Sequence, residues 1–404
     1  MRIKDIAILN PVYSGANLEN ESVSFSPMEC LRYDSLKTYS IPFSQAKGKY
    51  TYFGNYDILF AKVTPCFENL NTAIAQNLLN GVGFGSSEIN VLRLKENVSP
   101  RYIFYLVCSK HFIDNGCASM CGVGGLKRVS PRAVNTFEFS LPSPEEQEAI
   151  AAYLDKECER IGRQIELLER KADAYSRLRR SIINRAVTRG LNPNVPLKPS
   201  GIPFLGNVPE HWDIRRIKSL FDERVELSDT GTEDLLSVSE YYGVAKRADK
   251  VEGENISRSD SLEGYKLCYV NDIVSNIMLA WKGSLGRTSY NGIVSPAYGV
   301  YKPIDVLDSN YYHYLFRTEA YKGIFRTNSR GIIESRLRLY TTNFLAIHTI
   351  YPPYEEQQQI VGYLDDKCGK IDAIMDKIGS KIERLKELKR SLINEVVTGK
   401  RAII

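Results

Sequence analysis

Two stretches of this chain place apolar residues at steps of three and four. The first runs Leu154, Cys158, Ile161, Ile165, Leu168, Ala172, Tyr175, Leu178, Ile182 and Ala186. The second runs Leu364, Cys368, Ile371, Met375, Ile378, Ile382, Leu385, Leu388, Leu392 and Val396. Glu, Lys and Arg fill the positions between, so each stretch predicts a helix whose narrow apolar seam packs on another helix. Ser143 is a candidate N-cap, with Pro144 at the first helical position and Glu146 completing a capping box, and Gly190 and Pro193 supply the stop. About 45 residues at 1.5 Å per residue give a rod of roughly 65 Å. One such seam alone would be half exposed in water, so the two are expected to pair as antiparallel helices.

The two seams belong to an internal repeat. LPSPEEQEAIAAYLDKECERI from Leu141 recurs as YPPYEEQQQIVGYLDDKCGKI from Tyr351, and RRSIINRAVT from Arg179 recurs as KRSLINEVVT from Lys389, both at an offset of 210 with no insertion. A gapless repeat over that length suits a ruler, because one extra residue turns everything beyond it by ~100°. Core packing alone is the plainer reading, and periodicity does not separate the two.

The segments before each rod have another character. Residues 1–140 and 213–350 are rich in Tyr, Phe, Gly, Asn and Ser with short β-like runs, which predicts two α/β globules. A weaker similarity joins them: RIKDI at Arg2 with RIKSL at Arg216, YDILFAKV at Tyr56 with NDIVSNIM at Asn271, and RYIFYLV at Arg101 with NYYHYLF at Asn310. Residues 191–212, with five prolines, read as a linker. The order is therefore globule (1–140), rod (141–190), linker (191–212), globule (213–350), rod (351–404). The expected fold class is α+β, a pseudo-two-fold repeat of two α/β domains separated by two long antiparallel coiled-coil helices.

Composition narrows the function classes. Of 404 residues, 43% are hydrophobic and 25% charged, the balance of an ordinary globular protein. No run approaches the ~20 apolar residues of a membrane span. MRIKDIAILNP lacks the apolar core of a signal peptide, so a cytoplasmic protein is expected. Eight scattered cysteines read as reduced thiols. A net charge of +5 argues against a general nucleic-acid coat, so nucleic-acid binding would rest on local patches. The globules differ in charge: residues 1–140 carry 14 basic and 11 acidic residues, and 201–350 carry 18 and 19.

Two similar frames holding two different surfaces suit a molecule that reads two short signals at a fixed separation, and DNA rewards such a binder. The duplicated Pro-x-x-Glu-Glu-Gln helices, the SIIN and SLIN segments, VPEHWDIRRIK and the DIL and DIV strand starts closely resemble the specificity subunit of type I restriction-modification systems, over essentially the full length. The resemblance implies that the globules are target-recognition domains, each contacting half of a bipartite asymmetric site in double-stranded DNA. It implies that the helices set the half-site spacing and dock two modification subunits, through which two restriction subunits join. It further implies a non-catalytic chain that binds no cofactor itself, with S-adenosylmethionine, ATP and Mg only in the partner subunits. One departure is that the first globule opens at RIKDI, without a counterpart of the Pro-x-His-Trp segment before the second.

Other readings fit less well. A free-standing DNA-binding protein, such as a repressor or antirestriction relative with the same fold, would lack the partners. A methyltransferase or nuclease would carry its own active site, and the tempting string is Tyr351-Pro352-Pro353-Tyr354. Amino-methyl transfer needs an Asn or Asp oxygen where Tyr351 stands, and the repeat copy reads Leu141-Pro142-Ser143-Pro144. Gly83-Phe84-Gly85 lacks GxGxxG spacing, and no GxxxxGK[ST] occurs. Cys117 and Cys121, near Cys108 and His111, make one CxxxC where a structural zinc site shows two ligand pairs, and the other three histidines are remote.

Base readout needs Lys, Arg, Asn, Gln or Ser on loops that reach a groove. In the first globule the candidate loops are Lys62-Val63-Thr64-Pro65, continuing to Glu68 and Asn69, and the glycine-rich Gly122–Arg128 with Lys127 and Arg128. The second has Asn276, the Trp281–Arg287 loop with Lys282 and Arg287, the Ser329-Arg330-Gly331 turn and Arg336. Tyr241, Tyr242, Lys246 and Arg247 form a further basic-aromatic cluster. Rod charges such as Arg160, Arg163, Arg177, Arg179 and Arg180 either solvate an outer face or meet partner subunits.

Overall fold

The computed structural model describes residues 1–15, 18–122, 126–249 and 261–403. Two long helices dominate it, Pro144–Arg189 (the central helix) and Tyr354–Val397 (the C-terminal helix), which start 210 residues apart. The central helix opens on the expected capping box: Ser143 N donates to Glu146 Oε2 (2.9 Å), and Glu146 N donates to Ser143 Oγ (3.3 Å). It ends where Gly190 takes a positive φ of 70°, the left-handed turn that glycine adopts without a Cβ penalty.

The chain forms two compact units, residues 1–169 with 378–404, and residues 170–377. In the first, the start of the central helix (Leu154, Cys158, Ile161) shares an apolar cluster with the end of the C-terminal helix (Leu392, Ile393, Val396). In the second, the end of the central helix (Ala186, Val187) shares one with the start of the C-terminal helix (Ile360, Val361, Leu364). The helices are thus antiparallel in each unit. Leu178 and Leu388 depart from the seam read in the sequence, being 46% and 48% exposed. Two successive steps of three (Ala172, Tyr175, Leu178) rotate Leu178 ~120° away from the line of Leu154, and Leu388 repeats the departure.

Each unit builds a four-stranded antiparallel sheet with matching order. The first runs Ala7–Leu9, Ile89–Leu94, Ile58–Ala61, Thr72–Ile74, and the second runs Phe221–Glu223, Gly299–Pro303, Ile273–Ser275, Leu285–Arg287. The repeated Asp-Ile pairs open equivalent strands. Asp57 is buried, accepts from Gly54 N (2.7 Å) and takes Arg93 at 2.6 Å; buried Asp272 accepts from Tyr269 N (2.9 Å) and takes Arg224 at 2.8 Å. An acid this buried needs such partners, which accounts for an Asp at both strand starts.

A helix pair follows each sheet: Pro100–Val107 with Lys110–Ala118, and Ser309–Phe316 with Glu319–Asn328. Side-chain caps from Ser99, Ser109, Asp308 and Thr318 start them. Buried glutamines join these pairs to the long helices. Gln147 accepts from Ser99 N (2.9 Å) and donates to Pro142 O (2.9 Å); Gln357 accepts from Asp308 N (2.9 Å) and donates to Pro352 O (2.8 Å). An apolar residue at either site would orphan a buried N–H and a carbonyl.

The units differ in what is inserted. The first adds a second sheet, ordered Tyr39–Pro42, Ser22–Ser26, Val82–Gly85, Thr51–Gly54, in which Ser22–Ser26 and Val82–Gly85 run parallel. The second has the hairpin Leu236–Ser239/Gly243–Lys246 and the pair Lys266–Cys268/Gly292–Val294. Residues 191–212 are folded rather than loose. Their strands Leu197–Pro199 and Asn207–Pro209 pair, and Ile202, Leu205, Val208 and Trp212 enter the second unit's core. Among the described residues no helix is long and apolar enough to cross a membrane.

Candidate nucleic-acid interface

At one end of each four-stranded sheet the same scaffold presents two loops. In the first unit Val129 N donates to Lys62 O (2.8 Å), and in the second Leu339 N donates to Ile277 O (2.8 Å). The bond ties the loop after the second sheet strand to the segment before the long helix. The two loop pairs singled out in the sequence therefore occupy equivalent places.

In the first unit the structure brings the candidates together. Thr64 N donates to Lys127 O (3.0 Å), Lys62 N donates to Glu88 O (3.0 Å), and Arg128 makes a bidentate pair with Glu88 at 2.8 and 2.9 Å. That pair raises the Arg128 pKa and lowers that of Glu88. Lys127 and Asn69 are exposed, whereas the Thr64 hydroxyl is engaged by Glu68. Lys127 and Asn69 are the side chains open to a ligand, while Thr64 and Arg128 shape the loops. Val123, Gly124 and Gly125 of the glycine-rich loop lie outside the described residues.

The second unit assembles three segments. The Lys282 ammonium sits 5.1 Å from the Trp281 ring and the Arg326 guanidinium 5.3 Å from it, so a largely buried indole anchors two cations at the surface. Glu334 and Arg338 from the 329–338 turn border the same surface as Trp281. Arg330 and Arg336 are exposed on that turn. Lys246 pairs with Asp234 at 2.6 Å, and the Tyr242 hydroxyl lies 3.0 Å from Ser237 Oγ. Arg247 is half-buried, and its main-chain N–H donates to Leu235 O (2.9 Å).

Two candidates sit elsewhere than expected. Asn276 is 5% exposed; its amide donates to the Tyr298 hydroxyl (3.2 Å) and accepts from Met278 N (3.1 Å). It braces the loop from inside, because the turn that exposes Lys282 must fold back over it. Arg287 pairs in register with Ile273, while Leu285 pairs with Ser275, so Arg287 lies at the other end of its strand from the Lys282 loop. Its guanidinium is held by Asn271 Oδ1 (2.8 Å) and Ser289 Oγ (2.9 Å).

Two residues, Arg317 and Ile332, escaped the sequence reading. Arg317 donates to the carbonyls of Ser239 (3.2 Å), Glu240 (2.9 Å) and Tyr241 (3.1 Å) at the hairpin tip, and to Gly283 (3.2 Å) and Leu285 (3.0 Å) in the Lys282 loop. One guanidinium thus clasps both. Burial lowers its pKa to about 10, with Arg179 adding to the effect, so it stays charged at neutral pH. Beside it, burial and then Arg317 hold His313 to a pKa of about 3, which leaves a neutral ring whose Nδ1 faces Arg287 N (3.3 Å). Tyr241 is 85% exposed at the hairpin tip, and Ile332 is fully exposed on the 329–338 turn. Both suit stacking on, or apolar contact with, base edges. Ile332 gave no signal because an isolated Ile-Ile in a loop reads as core.

Among the described residues, no three His, Cys, Asp or Glu side chains gather in a metal-holding arrangement. Cys117 is half-buried and Cys121 exposed. The Tyr351-Pro-Pro-Tyr string forms the end of strand His348–Tyr351 and the start of the C-terminal helix, with the Tyr351 hydroxyl donating to Val306 O (2.8 Å).

Duplicated α/β units, each carrying diverged polar and cationic loops at one place on a shared frame, define a nucleic-acid-reading class of protein. The family model described as "Type I restriction modification DNA specificity domain" matches residues 2–171 and again 209–384, and the chain belongs to that family. It is 34% identical over 158 residues to the type I restriction enzyme EcoEI specificity subunit and 35% identical over 149 residues to the EcoAI specificity subunit, both of Escherichia coli. These matches cover 38% and 36% of this chain, and only 26% and 25% of the relatives' own lengths. Two solved structures share the fold over 99% of this chain. One comes from work on complex assembly and conformational transition of the type I R-M system (TM-score 0.73, 15% identity, 97% of that chain). The other is the HsdS subunit from Thermoanaerobacter tengcongensis (TM-score 0.54, 17% identity, 96% of that chain).

Proposed function

We propose that this chain is the DNA-recognition subunit of a type I restriction-modification complex, in which each unit reads one half of a bipartite, asymmetric site. The observation that carries this is the equivalence of the loop pairs at Val129–Lys62 and Leu339–Ile277, which hold unlike side chains. One frame used twice with two readers is what an asymmetric two-part site requires. In the first unit Lys127 and Asn69 are the ligand-facing groups. In the second they are Lys282, Arg330 and Arg336, with Tyr241, while the buried Trp281 anchors the loop beneath them. Lys and Arg in such loops bind phosphates or donate to the guanine O6 and N7 edge, and Asn suits adenine.

Catalysis falls to the partners on this reading. Methyl transfer and cleavage, with the S-adenosylmethionine, ATP and Mg they need, belong to modification and restriction subunits, and this chain supplies selectivity. Leu178 and Leu388 support two equivalent docking points. They are solvent-exposed leucines on the long helices at the 210-residue offset, one in each unit. The direct test is DNA binding by the chain assembled with a modification subunit. Affinity for a two-part sequence, lost when either part is scrambled, fits the proposal. Methyl transfer by the isolated chain contradicts it.

A further inference from the structure

The second sheet of the first unit finishes, at one end, on Tyr39 opposite Phe25, Ser26 beside Gly85, and Gly85 opposite Thr51. This end is aromatic. The Tyr50 ring packs on Phe25 with centroids 4.8 Å apart, and Tyr39 is the cross-strand partner of the same Phe25. Both tyrosines stay in water, 58% exposed for Tyr39 and 41% for Tyr50. Flat rings left at the surface in a group mark a place that binds something.

Three lysines frame the rings. Lys37 comes just before strand Tyr39–Pro42, and Lys47 and Lys49 flank Gly48 just before strand Thr51–Gly54. Gly48 takes a φ of 75°, and a Cβ on it would meet nothing within 4 Å, so this turn stands clear of the body. All three lysines are exposed, and among the described residues none pairs with a carboxylate. Lys47 lies 5.4 Å from the Phe43 ring, which leaves Lys37 and Lys49 as the freer cations. The Tyr39 hydroxyl accepts from the Cys30 thiol (3.6 Å), so its own proton is available to a ligand. The Cys30 bond first, and Glu29 after it, hold the pKa of that hydroxyl above its usual value.

Two features of the topology aim this end at DNA. Strands Tyr39–Pro42 and Thr51–Gly54 are the two edges of the sheet and start at the same end. They lie three strand spacings apart, roughly 14 Å, close to the ~12 Å width of a major groove. The same end also leads into the candidate reading loops. Ser86 N donates to Ser26 O (3.3 Å), and three residues past Gly85 the Glu88 carbonyl accepts from Lys62 N (3.0 Å) while its carboxylate holds Arg128. Ile89 then pairs with Ala61, next to Lys62. The second unit has no second four-stranded sheet among the described residues, so nothing there repeats this surface.

We propose that this end of the sheet is a DNA-backbone clamp peculiar to the first unit: Lys37 and Lys49 take phosphates on the two sides of one groove, and the Tyr39 hydroxyl donates to the backbone between them. The clamp grips without reading, because phosphates carry no sequence. It rests on the DNA-recognition reading above and adds that the two units hold DNA unequally. The charge balance agrees: residues 1–140 carry 14 basic against 11 acidic residues, and residues 201–350 carry 18 against 19.

The test titrates the full chain, assembled with a modification subunit, against a fluorescent mixed-sequence DNA duplex over a range of salt. With Lys37→Ala and Lys49→Ala together, the slope of log affinity against log salt is expected to become shallower by about two, with binding roughly tenfold weaker at low salt. Lys37→Arg with Lys49→Arg should keep the parent slope, and the motif methylated in a host carrying the alanine pair should stay that of the parent. An unchanged slope in the alanine pair, or an altered motif, would overturn the clamp. Loss of the modification subunit from that variant would assign the surface to a protein and overturn it as well. A parent complex that binds no DNA would instead strike the DNA-recognition reading itself, and the clamp with it.

Discussion

Arg317 gives its guanidinium to five carbonyl acceptors where two reading loops meet and, among the described residues, makes no ion pair with a carboxylate. Replacing it with Met keeps the packing and removes the clasp, leaving carbonyls partly unsatisfied. Arg317→Met is expected to lower affinity for one half-site at least tenfold while the other half-site is bound as before, measured with separate half-site mutations in the DNA. Lys282 and Arg287 separate readers from supports. Lys282→Ala is expected to cost on the order of 1–3 kcal/mol at one half-site. Arg287→Ala, which unties Asn271 and Ser289, should lower thermal stability with little change in sequence preference. A loss of base preference with Arg287→Ala would place it back among the readers. None of this division was legible in the sequence, where Lys282 and Arg287 share one loop and Arg317 follows an aromatic helix like any surface base. Which side chain is clasped and which is free is set by strand register and burial, and neither has a local signature.

At the scale of elements the sequence was far more legible. Both rods showed themselves through their apolar steps, and the central one through its caps as well, because a helix of this length repeats its rule often enough to be read. The seam at Leu178 was misassigned, since steps of three and of four look alike in a list while they rotate in opposite senses on the helix. The exposure of Leu178 and Leu388 becomes a prediction. Leu178→Arg and Leu388→Arg should each reduce the modification subunits held by the chain from two to one, with a weakening on the order of 2 kcal/mol for a central interface leucine. Native mass spectrometry of the assembled complex counts them, and retention of both subunits in either variant would remove these leucines from the interface. Inserting four residues near Ala172, about one helical turn, should lengthen the spacer between the half-sites without altering their sequences. Altered half-site sequences would contradict the ruler.

For the whole molecule, the 210-residue offset carried the architecture, because duplication makes each unit a template for the other. The Asp57 and Asp272 pairs and the Gln147 and Gln357 clasps are duplicated side chains whose reason appears only when both partners are placed. Residues 191–212, with five prolines, read in the sequence only as a linker between the halves, and the structure adds that Ile202, Leu205, Val208 and Trp212 pack into the second unit's core. The central claim is that one frame presents two different readers to one DNA. Sequencing the methylome of a host that expresses this chain with its modification subunit tests it most directly. The account predicts a single asymmetric motif of two short specified parts divided by a fixed unspecified spacer. A continuous motif, or a palindrome with identical halves, would contradict it.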